Sequence, residues 1–176
     1  MSSFDQYDPQ LFNLAKTIEG IVFDVDGVLT DGRITYSDDG KEYKSFNVQD
    51  GASIKALQAA GIHVAIITGR DSPIVTRRAT ELGIQWLVQG ADNKAQKLDN
   101  LIHNVGFPAQ NLAMVGDDLQ DLSLFNHPAV CMRVSVANGH PRVKEQAHLI
   151  TQRAGGQGIC VELAMLLLDA QNSWPN

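Results

Sequence analysis

Residues 21–32, Ile-Val-Phe-Asp-Val-Asp-Gly-Val-Leu-Thr-Asp-Gly, restrict the possible folds of this chain more than any other stretch. An apolar run of strand length ends on Asp24, a second acid follows at Asp26, and Gly27 permits a sharp turn. Open α/β sheets bind ligands at the carboxyl ends of their strands, so this stretch sets a carboxylate cluster where a ligand would sit. Asp24 reads as a nucleophile. A carboxylate attacks a phosphoryl group poorly unless a divalent cation offsets the two negative charges, and such a cation needs further oxygen ligands close by. If Val25 bends the chain out of the strand, Asp26 offers that cation its backbone carbonyl and keeps its side chain free for proton transfer. A calcium loop is excluded by register, because it wants a third acid at the fifth position and glycine at the sixth, whereas Val28 is fifth and Gly27 fourth.

The rest of the chain alternates strand and helix signals. Asp8-Pro9 opens a helix carrying Leu11, Leu14, Ala15 and Ile18; residues 33–37 and 41–46 read as two strands joined through Asp38-Asp39-Gly40. Asp50 is expected to cap a helix with Ile54 and Leu57, followed by a buried strand at 63–68 and a helix from Ser72-Pro73 to Gly83. Further strands fall at 86–88, 112–115, 130–136 and 149–150, with a helix between 98 and 106 and a terminal helix over 159–168. Right-handed crossovers through helices of this length imply a three-layer, Rossmann-like parallel α/β sheet. At 176 residues the expectation is a single domain over 1–176 with a β-hairpin flap at about 33–46.

Strands far apart in sequence then end in useful groups on one shared edge. These are Asp24 and Asp26, Thr68, the Gln89-Gly90 loop leading to Lys94, and Asp117-Asp118 with Asp121. Phosphoryl transfer asks for positioning and charge neutralisation, and each group has a part in it. Mg²⁺ suits the Asp24 carboxylate, the Asp26 carbonyl and the Asp117 carboxylate. Asp118 and Asp121 would orient these ligands and their waters from behind. Thr68 would donate to a phosphoryl oxygen and Lys94 would offset the charge shared with Asp24. Singly, Thr68, Lys94 and the Asp117-Asp118 pair are equally ordinary as a strand-end hydroxyl, a solvated lysine and a helix cap. Their joint occurrence at the right strand ends carries the reading.

Charge and composition exclude other classes. Fourteen basic against twenty acidic residues give a net charge of −6 with no clustered basic face, which argues against nucleic acid. The beginning of the chain is polar and charged, with Asp5, Asp8, Lys16 and Glu19, and no apolar run reaches the length of a membrane span. The expectation is a cytoplasmic protein without membrane partners. Cys131 and Cys160 are widely spaced and read as reduced thiols.

Asp24 to Gly32, Thr68-Gly69-Arg70, Lys94 and Gly116-Asp117-Asp118 with Asp121 resemble the four motifs of the haloacid dehalogenase superfamily phosphatases. Over nearly the whole chain, Phe46 to Gly51, Thr68 to Ser72, Gln89-Gly90, His140-Pro141 and Arg153 to Gly156 resemble the 3-deoxy-D-manno-octulosonate 8-phosphate phosphatases. The resemblance implies an Mg²⁺-dependent phosphatase that releases phosphate from a sugar acid made for lipopolysaccharide, through an aspartyl-phosphate. Only 41 residues separate Asp26 from Thr68 and 25 separate Thr68 from Lys94, which leaves no room for a cap domain. The resemblance implies instead a homotetramer in which hairpins associate and a neighbour covers each site, with Ile34, Tyr36, Tyr43 and Phe46 as apolar contacts. It implies substrate contacts at Gly69, Arg70, Asn47 and Arg78, the arginines serving the sugar-acid carboxylate. Gln49 and Gln157 stand where related sequences commonly carry arginine. A phosphatase of the same build acting on another nine-carbon sugar acid phosphate is the near alternative. A phospho-receiver domain is the distant one, although its acceptor lies on a later strand than its acid pair, whereas here one strand carries both acids. His140 has no partner at metal-binding spacing and reads as structural.

Overall fold

The computed structural model describes residues 7–175; residues 1–6, with Asp5, and residue 176 lie outside them. Asp8 opens the first helix, α1 (Pro9–Thr17), as expected. Its Oδ1 accepts from the backbone N–H groups of Gln10 at 2.7 Å and Leu11 at 3.2 Å, and Pro9 sits where no N–H is needed. The chain then enters β1 (Gly20–Phe23), which is buried throughout.

Beyond β1 the elements are β2 (Thr35–Tyr36), β3 (Glu42–Tyr43), α2 (Val48–Ala59), β4 (His63–Ile67), α3 (Pro73–Leu82), β5 (Trp86–Val88) and α4 (Lys94–Val105). There follow β6 (Leu112–Gly116), a 3-10 turn (Leu119–Asp121), α5 (Leu122–Phe125), β7 (Val130–Ser135), α6 (Pro141–Lys144), β8 (Leu149–Ile150) and α7 (Ile159–Gln171). Six strands pair in the order β5-β4-β1-β6-β7-β8, all parallel. The chain builds outward from β1 first on one side and then on the other, so the order of strand addition reverses between β1 and β6, where ligands of such sheets bind.

The strand alternation explains the layers. Ile21 and Phe23 of β1, Val64 and Ile66 of β4, and Ala113 and Val115 of β6 enter the core with apolar residues of α1, α2, α3 and α7. The intervening Val22, Ala65, Ile67, Leu112 and Met114 enter a second core with Leu98 and Leu101 of α4 and Leu124 and Phe125 of α5. A strand apolar at every position is thus one buried on both faces. Both cysteines are free, and no helix among the described residues is long and apolar enough to cross a membrane.

Two expectations need correction. The hairpin ladder is shorter than 33–46: only Thr35↔Tyr43 and Tyr36↔Glu42 pair, around a turn closed by a hydrogen bond from Ser37 N–H to Lys41 O at 2.9 Å. The strands part because the chain after Tyr43 turns inward, where Phe46 packs against the main core. Phe46 is therefore no free hairpin contact, whereas Ile34, Tyr36 and Tyr43 are exposed. Asp50 does not cap α2. Asn47 does, its side chain accepting from Gln49 N–H at 2.8 Å, while the buried Asp50 accepts from Gly158 N–H at 3.2 Å and Cys160 N–H at 2.7 Å, and so caps α7 across the structure. His140 caps α6, its Nδ1 accepting from Arg142 N–H at 3.2 Å.

Candidate active site

The site starts from a strand that ends one residue before its acid. Asp24 N–H still donates to Val115 O at 3.1 Å, so the pairing of β1 with β6 fixes the backbone from which the Asp24 carboxylate projects. Val25 O then accepts from the N–H groups of Val28, Leu29 and Thr30, at 3.2, 2.9 and 3.0 Å, and the chain coils back. Gly27 is required twice, by its φ of +93° and because a Cβ there would overlap the Asp117 carboxylate. Gly116 is required because a Cβ would collide with Asp121. The carbonyl of Asp26 accepts no hydrogen bond among the described residues.

Lys94, the first residue of α4, is almost wholly buried with its Nζ 3.0 Å from Asp24 Oδ1 and 2.7 Å from Asp121 Oδ1. Burial alone works against its charge, but the two carboxylates hold its pKa above the ordinary lysine value. Asp121 is fully enclosed and its other oxygen accepts from Asp117 N–H at 2.9 Å and Asp118 N–H at 3.1 Å. Both Asp121 oxygens are thus committed, and they lock the turn that presents Asp117 to the orientation of Lys94. Asp118 faces outward and accepts from Leu119 N–H at 2.7 Å.

Asp117 is different. Its Oδ1 is buried without a hydrogen-bond partner, which is costly for a carboxylate oxygen in protein. Burial, with Asp121 and Asp24 nearby, pushes its pKa up to about 7, and burial with Asp121 raises Asp24 to about 6 against the opposing pull of Lys94. Oxygens of Asp24, Asp117 and Asp121 lie within 4.8 Å of one another. An orphaned oxygen amid mutually repelling carboxylates is a donor set that fits a hard divalent cation. Because Asp121 is already spent on Lys94 and two N–H groups, Asp24 and Asp117 are the carboxylates left to hold such a cation.

These groups open onto a cavity of about 600 Å³, also lined by Asp26, Thr68, Gly69, Arg70, Ala91, Asp92, Asp118 and Gln120. That volume suits a small-molecule substrate. Thr68 is held by backbone hydrogen bonds, its N–H to Val88 O at 3.0 Å and its O from Ala91 N–H at 3.1 Å. Its side chain makes no hydrogen bond among the described residues, so it serves no helix terminus.

Two expected substrate contacts lie elsewhere. Asn47 and Arg78 line a separate apolar recess of about 10 Å³ beneath α2 and α3. Arg78 donates to Asn47 O at 3.3 Å and to Glu81 at 3.5 Å, with its guanidinium 5.7 Å from the centre of the Phe46 ring. Within one chain this arginine is a packing group, because the return of the hairpin puts Phe46 beneath it. Arg70 does face the cavity, but its Nη2 lies 2.5 Å from Glu42 Oε1. Gln49 Oε1 accepts from Arg153 Nη1 at 3.1 Å.

Sequence reasoning missed Glu42 and Lys44. Lys44 Nζ pairs with Asp26 Oδ1 and lies 3.6 Å from Glu42. Only their pairing with each other was legible, since two charged residues flanking Tyr43 at strand spacing share one face of β3 and its extension; the reach of Lys44 to Asp26 was not.

A haloacid dehalogenase-like hydrolase family model matches residues 86–163. The 3-deoxy-D-manno-octulosonate 8-phosphate phosphatase of Salmonella typhimurium is 40% identical over 93% of this chain and 86% of its own length. A crystal structure of the phosphatase of that name from Moraxella catarrhalis, in complex with a magnesium ion, a phosphate ion and a KDO molecule, superimposes with a TM-score of 0.88 at 41% identity, covering 94% of each chain. A cobalt-bound deoxy-D-mannose-octulosonate 8-phosphate phosphatase from Haemophilus influenzae gives 0.84 at 38% identity, over 90% of this chain and 92% of that one.

Proposed function

We infer the function from family membership: the chain belongs to the 3-deoxy-D-manno-octulosonate 8-phosphate phosphatases, within the haloacid dehalogenase-like hydrolases. It is an Mg²⁺-dependent phosphomonoesterase that hydrolyses 3-deoxy-D-manno-octulosonate 8-phosphate to the sugar acid and inorganic phosphate, a step toward lipopolysaccharide. The observation that carries the chemistry is the Asp24 carboxylate held beside Lys94, with the orphaned Asp117 oxygen next to it.

In this reading Asp24 attacks phosphorus, the bond from phosphorus to the sugar oxygen breaks, and Asp26 delivers a proton to the departing oxygen. Asp26 then takes a proton from water, whose oxygen attacks the phosphorus of the aspartyl-phosphate and frees Asp24. Thr68 and the backbone at Gly69 donate to the phosphoryl oxygens, and Lys94 lowers the repulsion between Asp24 and the incoming phosphate. The Asp24 and Asp117 carboxylates and the Asp26 carbonyl would hold magnesium, which would supply charge neutralisation at the phosphate. Asp121, with Asp118, holds the turn behind it.

The reading includes one capless domain and a cytoplasmic homotetramer in which a neighbour covers the open cavity. The exposed Ile34, Tyr36 and Tyr43 support an association through hairpins. Asn47 and Arg78 would then meet substrate only as parts of such an assembly, and Arg70 directly. The test is phosphate release from a panel of sugar acid phosphates, with and without chelator. Activity on 3-deoxy-D-manno-octulosonate 8-phosphate, suppressed by chelation, is expected; preference for a nine-carbon sugar acid phosphate or an unrelated phosphomonoester would overturn the substrate assignment.

A further inference from the structure

Asp26 is reached from the hairpin side by groups that the chemistry above does not use. Lys44, just past β3, has its side chain only 2% exposed, and its Nζ is the partner of Asp26 Oδ1. It does not line the cavity. Glu42, two residues earlier on the same face, lies 3.6 Å from Lys44 and 2.5 Å from Arg70, and its other oxygen is 3.4 Å from Ser72 Oγ. Arg70 closes the circuit with its Nε 3.8 Å from Asp26 Oδ2. Lys44, Asp26, Arg70 and Glu42 thus alternate in sign around a ring anchored on one side by β3 and on the other by the loops after β1 and β4.

The ring treats the two oxygens of Asp26 unequally. Oδ1 is held by the enclosed ammonium, while Oδ2 makes no hydrogen bond among the described residues and lies on the side of Arg70, which with Asp26 lines the cavity. A carboxyl held by one oxygen has lost its rotational freedom, and the oxygen left over is the one able to exchange a proton with a group in the cavity. Without that hold, Asp26 could swing away from the departing oxygen.

We propose that Lys44 is a positioning residue that fixes the Asp26 side chain for proton transfer, with Glu42 holding Lys44 and Arg70 in register, so that the hairpin is a working part of the site. This rests on the reading of Asp26 as the proton donor. The departing sugar oxygen is a strong base that must gain a proton as its bond to phosphorus breaks, whereas p-nitrophenolate leaves without one. A misplaced Asp26 therefore penalises the first and spares the second.

The test compares kcat/KM of the intact enzyme with magnesium for 3-deoxy-D-manno-octulosonate 8-phosphate and for p-nitrophenyl phosphate, a ratio governed by the steps through departure of the leaving group. Lys44→Met is expected to lower the value for the sugar phosphate about 100-fold and that for the aryl phosphate by less than about threefold, the scale of one positioned proton donor. Lys44→Arg should recover most of the loss. A parallel fall on both substrates would show Lys44 to be a structural strut and overturn the proposal, as would no fall on either. Asp26→Asn separates the two levels. If it discriminates between the substrates and Lys44→Met does not, positioning by Lys44 fails alone; if Asp26→Asn does not discriminate, the proton-donor reading fails and takes this proposal with it.

Discussion

Two charged clusters meet at the mouth of this molecule and they are built differently. Asp24, Lys94, Asp117 and Asp121 are buried at the ends of β1 and β6 and the start of α4, elements locked into the sheet and its cores. Glu42, Lys44 and Arg70 sit on a hairpin of two residue pairs and on a loop, and Arg70 is 40% exposed. In the first cluster low dielectric makes every charge costly unless matched, so the set behaves as a unit. In the second, Lys44 is enclosed while Arg70 reaches solvent, so only the attractions of the arginine are partly screened. The first cluster surrounds the Asp24 carboxylate, and the second holds the side chain of Asp26 from the hairpin side.

The largest effect that would break this contrast is on turnover. Asp24→Asn should lower kcat by at least about 1,000-fold while leaving the circular dichroism spectrum intact, because a nucleophile is lost and no packing is. Lys94→Met comes next and should affect both activity and stability. Removing the one cation between Asp24 and Asp121 leaves buried charges unmatched, and urea denaturation without metal should show a loss of about 3–5 kcal/mol. A change below about 1 kcal/mol would mean that the buried cluster is no more coupled than the one on the hairpin.

How much of this was legible in the sequence follows the same division. The succession of strands and helices along the chain and the convergence of Asp24, Thr68, Lys94 and Asp117 could be read, because a parallel sheet puts all its strand ends on one edge; the order in which the strands lie side by side could not. The partners of Asp50, Asn47 and Lys44 could not. Asp50 caps a helix 108 residues away at Gly158, Asn47 takes the cap locally expected of Asp50, and Lys44 meets an acid across a hairpin whose path no periodicity specifies. Long-range pairings of single polar side chains leave no repeat in the chain. Arg78 shows the converse: an arginine suited to a carboxylate packs on Phe46 because the hairpin returns there.

Asp50→Ala sharpens the point from outside the site. It removes the acceptor for two buried N–H groups at the start of α7, and thermal denaturation should report about 1–3 kcal/mol of lost stability with unchanged kcat at permissive temperature. A smaller effect concerns protons and metal. Asp117 at about 7 and Asp24 at about 6 lie above the unfolded carboxylate value of 3.8. Without metal the folded chain therefore binds more protons than the unfolded chain in that window, and these groups make it lose stability as pH rises from about 4 to about 7. Magnesium takes the ionised forms, so the rise in Tm on adding it should be greater in neutral than in mildly acidic buffer. An equal rise at both would place the binding elsewhere. Smallest of all, Glu42→Gln should change stability by less than about 1 kcal/mol, because Lys44 keeps Asp26 as its partner and Arg70 reaches solvent.

The most direct test is to quench the enzyme with acid during turnover of 3-deoxy-D-manno-octulosonate 8-phosphate and locate the phosphoryl group by peptide mass spectrometry. The account predicts one phosphoryl adduct on the peptide bearing Asp24, lost with chelator and absent from Asp24→Asn. An adduct on another residue, or full turnover by Asp24→Asn, would contradict it.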